Sequence, residues 1–479
     1  MPVAEPVDAE WWKRFNDPAL TSLVRRVAAG NLDVRVATFR LAQSRAQRGI
    51  TAADQFPQLN GNASYTRERQ SKQGVVSLFS GGGTGGSSTG GSPGTQSNGL
   101  GGRQGGIPSI IPLAPFDLFQ GGFDASWELD LWGRVRRAVE SADATLEAST
   151  EAQRAQLLSS IAEVARDYMQ LRGTQETLRI TRGNLTTAEQ SVRLTSERAR
   201  GGLATDLDVA NARAQLEATA ANIPQLEQQE AQSINAIGLL LGMPPATLAA
   251  ELLPPKPVPP VPPRVPVGLP SELARRRPDI RQAEAQLHAA TADIGTAKAD
   301  FYPRLTLSGS VALQALQVRN LGWSAGTYSF GPSLTIPIFE GGRLRRTVEL
   351  REAAQQEAAV NYQKTVLQAF TDVDNALIAY AAEQRRRNRL AEQVVQSRRA
   401  FNLAENRFRQ GVSDFLEVLT AQRTVLAAEQ QLADSTATVS ANLVALYKAL
   451  GGGWEADLPT ERPALPTVPP ADIGAIPKL

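Results

Sequence analysis

The chain contains its own second copy. Gly133 to Ala212 aligns without a gap on Gly342 to Ala421, at a constant offset of 209 residues. Gly133-Arg134 faces Gly342-Arg343, Arg198-Ala199-Arg200 faces Arg407-Phe408-Arg409, and Leu207-Asp208-Val209 faces Leu416-Glu417-Val418. The register persists at Leu241-Gly242 and Leu450-Gly451. Upstream, Phe56-Pro57-Gln58-Leu59 matches Tyr302-Pro303-Arg304-Leu305 at an offset longer by 37 residues, which places one insertion in the first copy. A duplication this long restricts the chain to a pseudo-symmetric object built from two like units.

Each copy opens on a long proline-free stretch. From Gly133 to Arg200, apolar residues recur every seven positions at Leu157, Val164, Leu171, Leu178, Leu185 and Val192. The second copy keeps the beat at Val366, Val373, Tyr380, Val394, Phe401 and Phe408, and misses one step at Arg387. A seven-residue period predicts helices that supercoil left-handedly around neighbours. At ~1.5 Å per residue each would run roughly 100 Å, far beyond an ordinary globular helix. Glycines at 201–202 and 411 predict the C-terminal caps, and a return helix follows each turn. Glu251 to Pro270 holds nine prolines, a semi-rigid linker between the copies.

Four short segments carry a different period. Leu59, Gly61, Ala63 and Tyr65 alternate with Asn60, Asn62, Ser64 and Thr66. Phe119, Phe123, Trp127 and Leu129 alternate with Gln120, Asp124, Ser126 and Glu128. Leu305, Leu307 and Val311 alternate with Thr306, Ser308 and Ser310, and Tyr328, Phe330 and Leu334 with Ser329, Gly331 and Ser333. Period two predicts strands with unlike faces. The helices are committed to one another, so the apolar face is expected to meet lipid and the polar face a water-filled lumen, as in a transmembrane barrel. Four strands cannot close, and open edges are not tolerated in lipid. The barrel is therefore expected to be shared between chains: two would give eight strands filled by side chains, three would give twelve and a channel. A coiled-coil rod without a pore is the competing reading of the helices alone.

Composition excludes several classes. A net charge of +2 favours no nucleic acid partner. There is no cysteine and a single histidine, His288, which removes histidine-based triads, thiolate sites and histidine zinc sites. His288 reads as a polar surface or interchain group. Arg275-Arg276-Arg277 and Arg385-Arg386-Arg387 read as solvated faces, and the half-glycine stretch 81–106 as a surface loop. No run of 18 apolar residues predicts a membrane-crossing helix. The opening Met1-Pro2-Val3-Ala4-Glu5-Pro6 has no apolar core, so an export signal is expected to be removed or to lie outside this chain. No enzyme, cofactor or metal is expected.

Together these residues resemble the outer membrane factor family of TolC-like ducts, in its OprM, CusC and NodT branch of efflux outer membrane proteins. Trp11 to Leu20 is similar to that branch's opening, Ala52 to Pro57 and Ala299 to Pro303 to its two strand entries, and Ser126 to Gly133 and Ile336 to Gly342 to its two strand exits. Gly411 to Gln422 is similar to its lower helical turn. The resemblance implies a mixed α and transmembrane β fold: a homotrimeric twelve-strand outer membrane β-barrel, four strands per chain, continued by a long periplasmic α-helical barrel with an equatorial collar. The expected division is an equatorial N-terminal segment 1–30, a first repeat 31–250, the Pro-rich linker 251–270, a second repeat 271–457 and a tail 458–479. Within the first repeat it gives helices 31–53, 133–200 and 205–241, strands about 57–69 and 118–132, and a Gly-rich surface loop 74–115. Within the second it gives helices 278–299, 342–409 and 414–450, and strands about 304–313 and 327–338.

The resemblance also implies passive conduction of small molecules through the outer membrane. The implied partners are outer membrane lipid, a periplasmic adaptor (membrane fusion) protein and an inner membrane pump of the resistance-nodulation-division type. Residue by residue, the family's periplasmic aperture falls on Arg407, Phe408, Leu416 and Thr420. The branch often has aspartate where this chain has Thr420, so the acidic lining would come from Asp206, Asp208, Asp414 and Glu417 instead. Adaptor docking is expected on the turns Gly201, Gly202 and Leu203, and Gly411, Val412 and Ser413. The branch usually carries a lipidated cysteine shortly before its opening; this chain has none, and lipidation of the precursor stays open. A duct for protein secretion is the alternative within the same fold.

Overall fold

The computed structural model describes residues 2–3, 8–69, 115–262, 265–266 and 275–455. All of the glycine-rich loop 74–115 except its last residue lies outside them, as do the tail 458–479 and part of the linker 251–270. The chain divides into two compact units. One comprises Ile50–Arg136 and Gly295–Arg345, the other Met1–Gly49, Arg137–Ile294 and Arg346–Leu479.

The first unit is an antiparallel sheet of four strands: β1 (Gln58–Glu68), β2 (Phe116–Leu129), β3 (Arg304–Ala315) and β4 (Gly326–Thr335). They pair in the order β1-β2-β3-β4, so β1 and β4 are hydrogen-bonded on one side only. The register aligns Gly61 with Phe123 and Phe123 with Val311, and Val311 with Tyr328. It aligns Asn60 with Asp124, Asp124 with Ser310, and Ser310 with Ser329. These two rows keep one character across all four strands, so in the middle of the sheet the alternation in sequence becomes two unlike faces. The apolar face is uncovered: Phe123 is 63% exposed, Phe330 76% and Tyr328 86%. Aromatic rings lie beside glycines on neighbouring strands, where a Cβ on Gly61 would sit 3.4 Å from the Phe123 ring and one on Gly309 3.4 Å from Phe330. At Gly122 the approach is tighter still. A Cβ there would lie 2.4 Å from the Val311 carbonyl oxygen and 2.5 Å from the Ala312 Cβ, so β2 and β3 pair at this row only because the side chain is absent.

The second unit is helical. Its elements are α1 (Pro18–Gly30), α2 (Leu32–Ala53), α3 (Arg134–Arg200), α4 (Asp206–Leu240), α5 (Pro278–Ala299), α6 (Arg343–Arg409) and α7 (Phe415–Ala449), several of which continue into the sheet unit. The duplication is visible in the lengths: α3 and α6 have 67 residues each, α4 and α7 have 35 each. Ion pairs Arg182–Glu227 and Arg398–Glu429, both 2.7 Å, join each long helix to its own return helix. The copies also interlock. A Cβ on Gly173 of α3 would stand 2.5 Å from the Ala437 Cβ of α7, and Gln430 Nε2 donates to the Thr181 hydroxyl at 3.2 Å. Among the described residues no helix is long and apolar enough to cross a membrane.

The main core gathers the short 3-10 helix Trp11–Phe15 and the end of α7 onto the other helices. Trp11, Trp12 and Phe15 are fully buried among Val164, Tyr168, Leu171, Ile237 and Tyr447. Trp11 stacks on Tyr447 with ring centroids 5.1 Å apart and donates Nε1–H to the Gly452 carbonyl at 3.0 Å. Burial pushes the Tyr447 hydroxyl up to about 12. One sequence expectation is corrected here. Arg277 is not on a solvated face: its side chain is 11% exposed, bridges Asp279 at 2.7 Å and Asp372 at 3.1 Å, and donates to the Ala449 carbonyl at 3.2 Å. Two carboxylates and a helix-end carbonyl replace the water that a lone guanidinium would need.

Candidate functional site: the two helical turns

Both long helices end in the same backbone arrangement. After α3, the Leu203 amide donates to the Arg198 carbonyl at 2.8 Å and the Gly202 amide to Ala199 at 3.0 Å. After α6, Val412 donates to Arg407 at 3.0 Å and Gly411 to Phe408 at 2.9 Å. These are Schellman caps, and they require a left-handed residue at the position after the cap. Gly202 supplies it at φ +70° and Gly411 at φ +79°.

The start of the return helix differs between copies. Thr205 and Asp208 form a reciprocal capping box on α4: the Asp208 carboxylate accepts from the Thr205 amide at 2.9 Å, and the Thr205 hydroxyl from the Asp208 amide at 3.2 Å. Asp208 is therefore engaged with its own helix, while Asp206 is exposed on its first turn, where negative charge suits the helix N-terminus. In the second copy Asp414 holds the N-cap position of α7 without a side-chain capping bond.

That second turn is fastened from the first copy. The Arg198 guanidinium lies over the Phe408 ring, 4.5 Å from its centroid, and donates to the Phe408 carbonyl oxygen at the end of α6. A cation at a helix C-terminus meets the negative end of the backbone dipole, and the ring face adds a cation–π attraction of roughly 0.5–2 kcal/mol. Phe408 in turn packs against Phe415 with centroids 5.5 Å apart, within a small core that includes Ala212, Val418 and Leu419. A Cβ on Gly411 would meet an Arg198 terminal nitrogen at 3.5 Å, an ordinary contact, so the glycine is required by its positive φ and not by crowding.

The four residues matched to the aperture thus fall into two environments. Phe408 is 4% exposed and lies beneath the turn. Arg407, Leu416 and Thr420 are exposed and line one open groove with Ala400, Leu403, Ala404, Asp414 and Glu417. Leu416 is 63% exposed, and Arg407 stands 3.8 Å from Glu417, a loose surface pair. The Thr420 hydroxyl donates back to the Leu416 carbonyl at 2.8 Å, so it is turned onto its own helix. The turn residues Gly201, Gly202, Leu203, Gly411 and Val412 are exposed, with Leu203 at 71% and Val412 at 64%, and Ser413 is half-buried.

Sequence reasoning passed over Arg198 and Phe415. A signal for the first existed in the internal alignment, where Arg198 faces Arg407 while Ala199 faces Phe408. The two copies could not both use the arginine in the same way. The same alignment pairs exposed Leu207, at 68%, with Leu416. Elsewhere, His288 places Nε2 3.2 Å from Glu140 at the surface, and among the described residues no group of His, Asp or Glu is arranged to hold a metal.

Comparisons with known proteins agree on one kind of molecule. The family model described as "Outer membrane efflux protein" matches residues 23–243 and 269–452. The pyoverdine export outer membrane protein OpmQ of Pseudomonas aeruginosa is 33% identical over 450 residues, spanning 94% of this chain and 88% of that one. The solvent efflux pump outer membrane protein SrpC of Pseudomonas putida is 32% identical over 452 residues, spanning 92% and 86%. Among solved structures, the outer-membrane channel OprN superimposes with a TM-score of 0.83 at 35% identity, over 95% of this chain and 94% of that chain.

Proposed function

Since the chain belongs to the outer membrane efflux protein family, we propose that its two helical turns dock a periplasmic adaptor and that its second turn closes the duct at rest. The protein is an outer membrane efflux channel. Its fold is that of the trimeric channels of this family, with four strands per chain in a shared twelve-strand barrel and a periplasmic helical barrel. The adaptor carries the duct onward to an inner membrane pump of the resistance-nodulation-division type, which supplies the energy, and small molecules pass by diffusion.

One observation supports the docking assignment above the others. Each turn presents an apolar residue to solvent at its tip, Leu203 and Val412, at matching positions of the two copies. Exposed apolar residues on rigid, capped turns fit a partner surface, and the pseudo-symmetry offers an adaptor two similar footholds.

The double variant Gly202→Val, Gly411→Val tests docking. A β-branched residue at φ near +70° costs about 1–2 kcal/mol or more at each turn and disturbs the Schellman geometry. Crosslinking to the adaptor is expected to fall at least about tenfold, while the detergent-solubilised oligomer keeps its mass. Undiminished crosslinking and efflux would refute the assignment.

A further inference from the structure

We infer that Asp124 sets the charge preference of the duct where it crosses the membrane. The inference rests on the reading that three chains close one barrel with the polar faces of their strands turned inward.

Among the described residues, that polar face carries four charged side chains: Glu68, Asp124, Glu128 and Arg304. Two are neutralised near the ends of their strands. Glu128 takes a two-pronged contact from Arg134, at 2.9 and 2.7 Å, and Arg304 pairs with Asp300 at 2.6 Å. Glu68 is the last residue of β1. Asp124 alone sits in the middle of the sheet, in the row Asn60–Asp124–Ser310–Ser329. Its donors are the side-chain amides of Asn62 at 3.0 Å and Asn60 at 3.4 Å. Amides orient a carboxylate and carry no charge. The other polar members of its row, Ser310 and Ser329, share a hydrogen bond with each other at 2.9 Å and are likewise neutral.

A fixed, oriented, uncompensated carboxylate on each of three chains makes a negative ring in the lumen. The field of such a ring reaches about 10 Å at 0.1 M salt and about 30 Å at 0.01 M, so at low salt it spans the passage and enriches cations over anions. This acts on any charged solute that passes, separately from whatever the aperture at the second turn admits.

The experiment is the reversal potential of purified oligomers in planar bilayers under a KCl gradient, at low and at high salt. Asp124→Asn keeps an acceptor for Asn60 and Asn62 and removes the charge. It is expected to lower the cation-to-anion permeability ratio roughly threefold near 0.01 M and hardly at all near 1 M. Asp124→Lys is expected to move it further in the same direction. Asp117→Asn, on the opposite face of the same strand, leaves it where it was, and the oligomer's mobility in gels shows that all three variants assemble. A conducting parent whose reversal potential is the same in both Asp124 variants overturns the role of Asp124 alone. Because the second turn closes the resting duct, all these channels also carry Leu416→Ser, and a Leu416→Ser oligomer that does not conduct overturns both this inference and the duct reading beneath it.

Discussion

Leu416→Ser oligomers are expected to conduct at least about tenfold more than the parent at fixed salt, with assembly unchanged. Leu416 and Thr420 share a face of α7 one helical turn apart, and Leu416 stands exposed at the mouth of the groove beside Arg407. Three such leucines brought near a threefold axis exclude hydrated ions by dewetting, and a hydroxyl in place of the isobutyl group removes that barrier. Thr420→Ala is expected to do far less, because its hydroxyl already serves its own helix. The internal repeat supplies a control. Leu207 occupies the equivalent position in the first copy and is equally exposed, so Leu207→Ser should leave conductance near that of the parent. Equal effects at 207 and 416 would show that the constriction is not a property of the second turn. No effect at 416 would move it elsewhere, with Asp206, Asp208 and Asp414 the next residues to replace.

Gly122→Val is expected to reduce assembled protein in the outer membrane by at least an order of magnitude. Its Cβ would overlap the Val311 carbonyl and the Ala312 Cβ at 2.4 and 2.5 Å. Both lie on the paired strand, where the neighbour cannot rotate away. Overpacking against backbone exceeds the ~3 kcal/mol typical of crowded cores, and here it splits a β2–β3 pairing whose unmet amides would face lipid. The adjacent Gly121→Ala makes the contrast. A Cβ there finds its nearest atom 4.0 Å away and lies on the face where an apolar group is welcome, so its membrane level should match the parent. Quantitative blotting of the outer membrane fraction reads both, and normal levels of the valine variant would show that the two strands do not pair in this register.

The fold was legible where the chain repeats a simple physical demand. Strands exposed to lipid on one side and water on the other must alternate, so Leu59 to Thr66 and Phe119 to Glu128 announce themselves in a single sequence. The duplication then doubles the signal, and equal spacing of Gly202 and Gly411 reveals two turns of one kind. What stayed hidden depends on residues that meet only in three dimensions. Arg277 sits in a run of three arginines and looks solvated; its partner Asp372 is 95 residues away. Arg198 resembles its counterpart Arg407, and only the neighbouring Ala199, set against Phe408 in the other copy, hints that the two arginines have different surroundings. Phe408 is part of a heptad pattern, which marks it as apolar without saying that it lies under the turn rather than in the passage.

The fastening of Arg198 onto Phe408, together with the contact of Gly173 on Ala437, means that the two copies are not modules. Each depends on a feature the other supplies: the first copy lends a cation to finish the second copy's helix, and the second copy's return helix fits only where the first has no side chain. A polypeptide severed in the proline-rich linker would yield two halves of similar design and unequal fate. The first half would retain a turn closed by its own Thr205 and Asp208. The second would end in a frayed hairpin until its sibling was added back. The ancestral duplication has therefore become irreversible in a chemical sense: two first halves would have the arginine but Ala199 in place of the Phe408 ring, and two second halves would have no Thr205–Asp208 capping box.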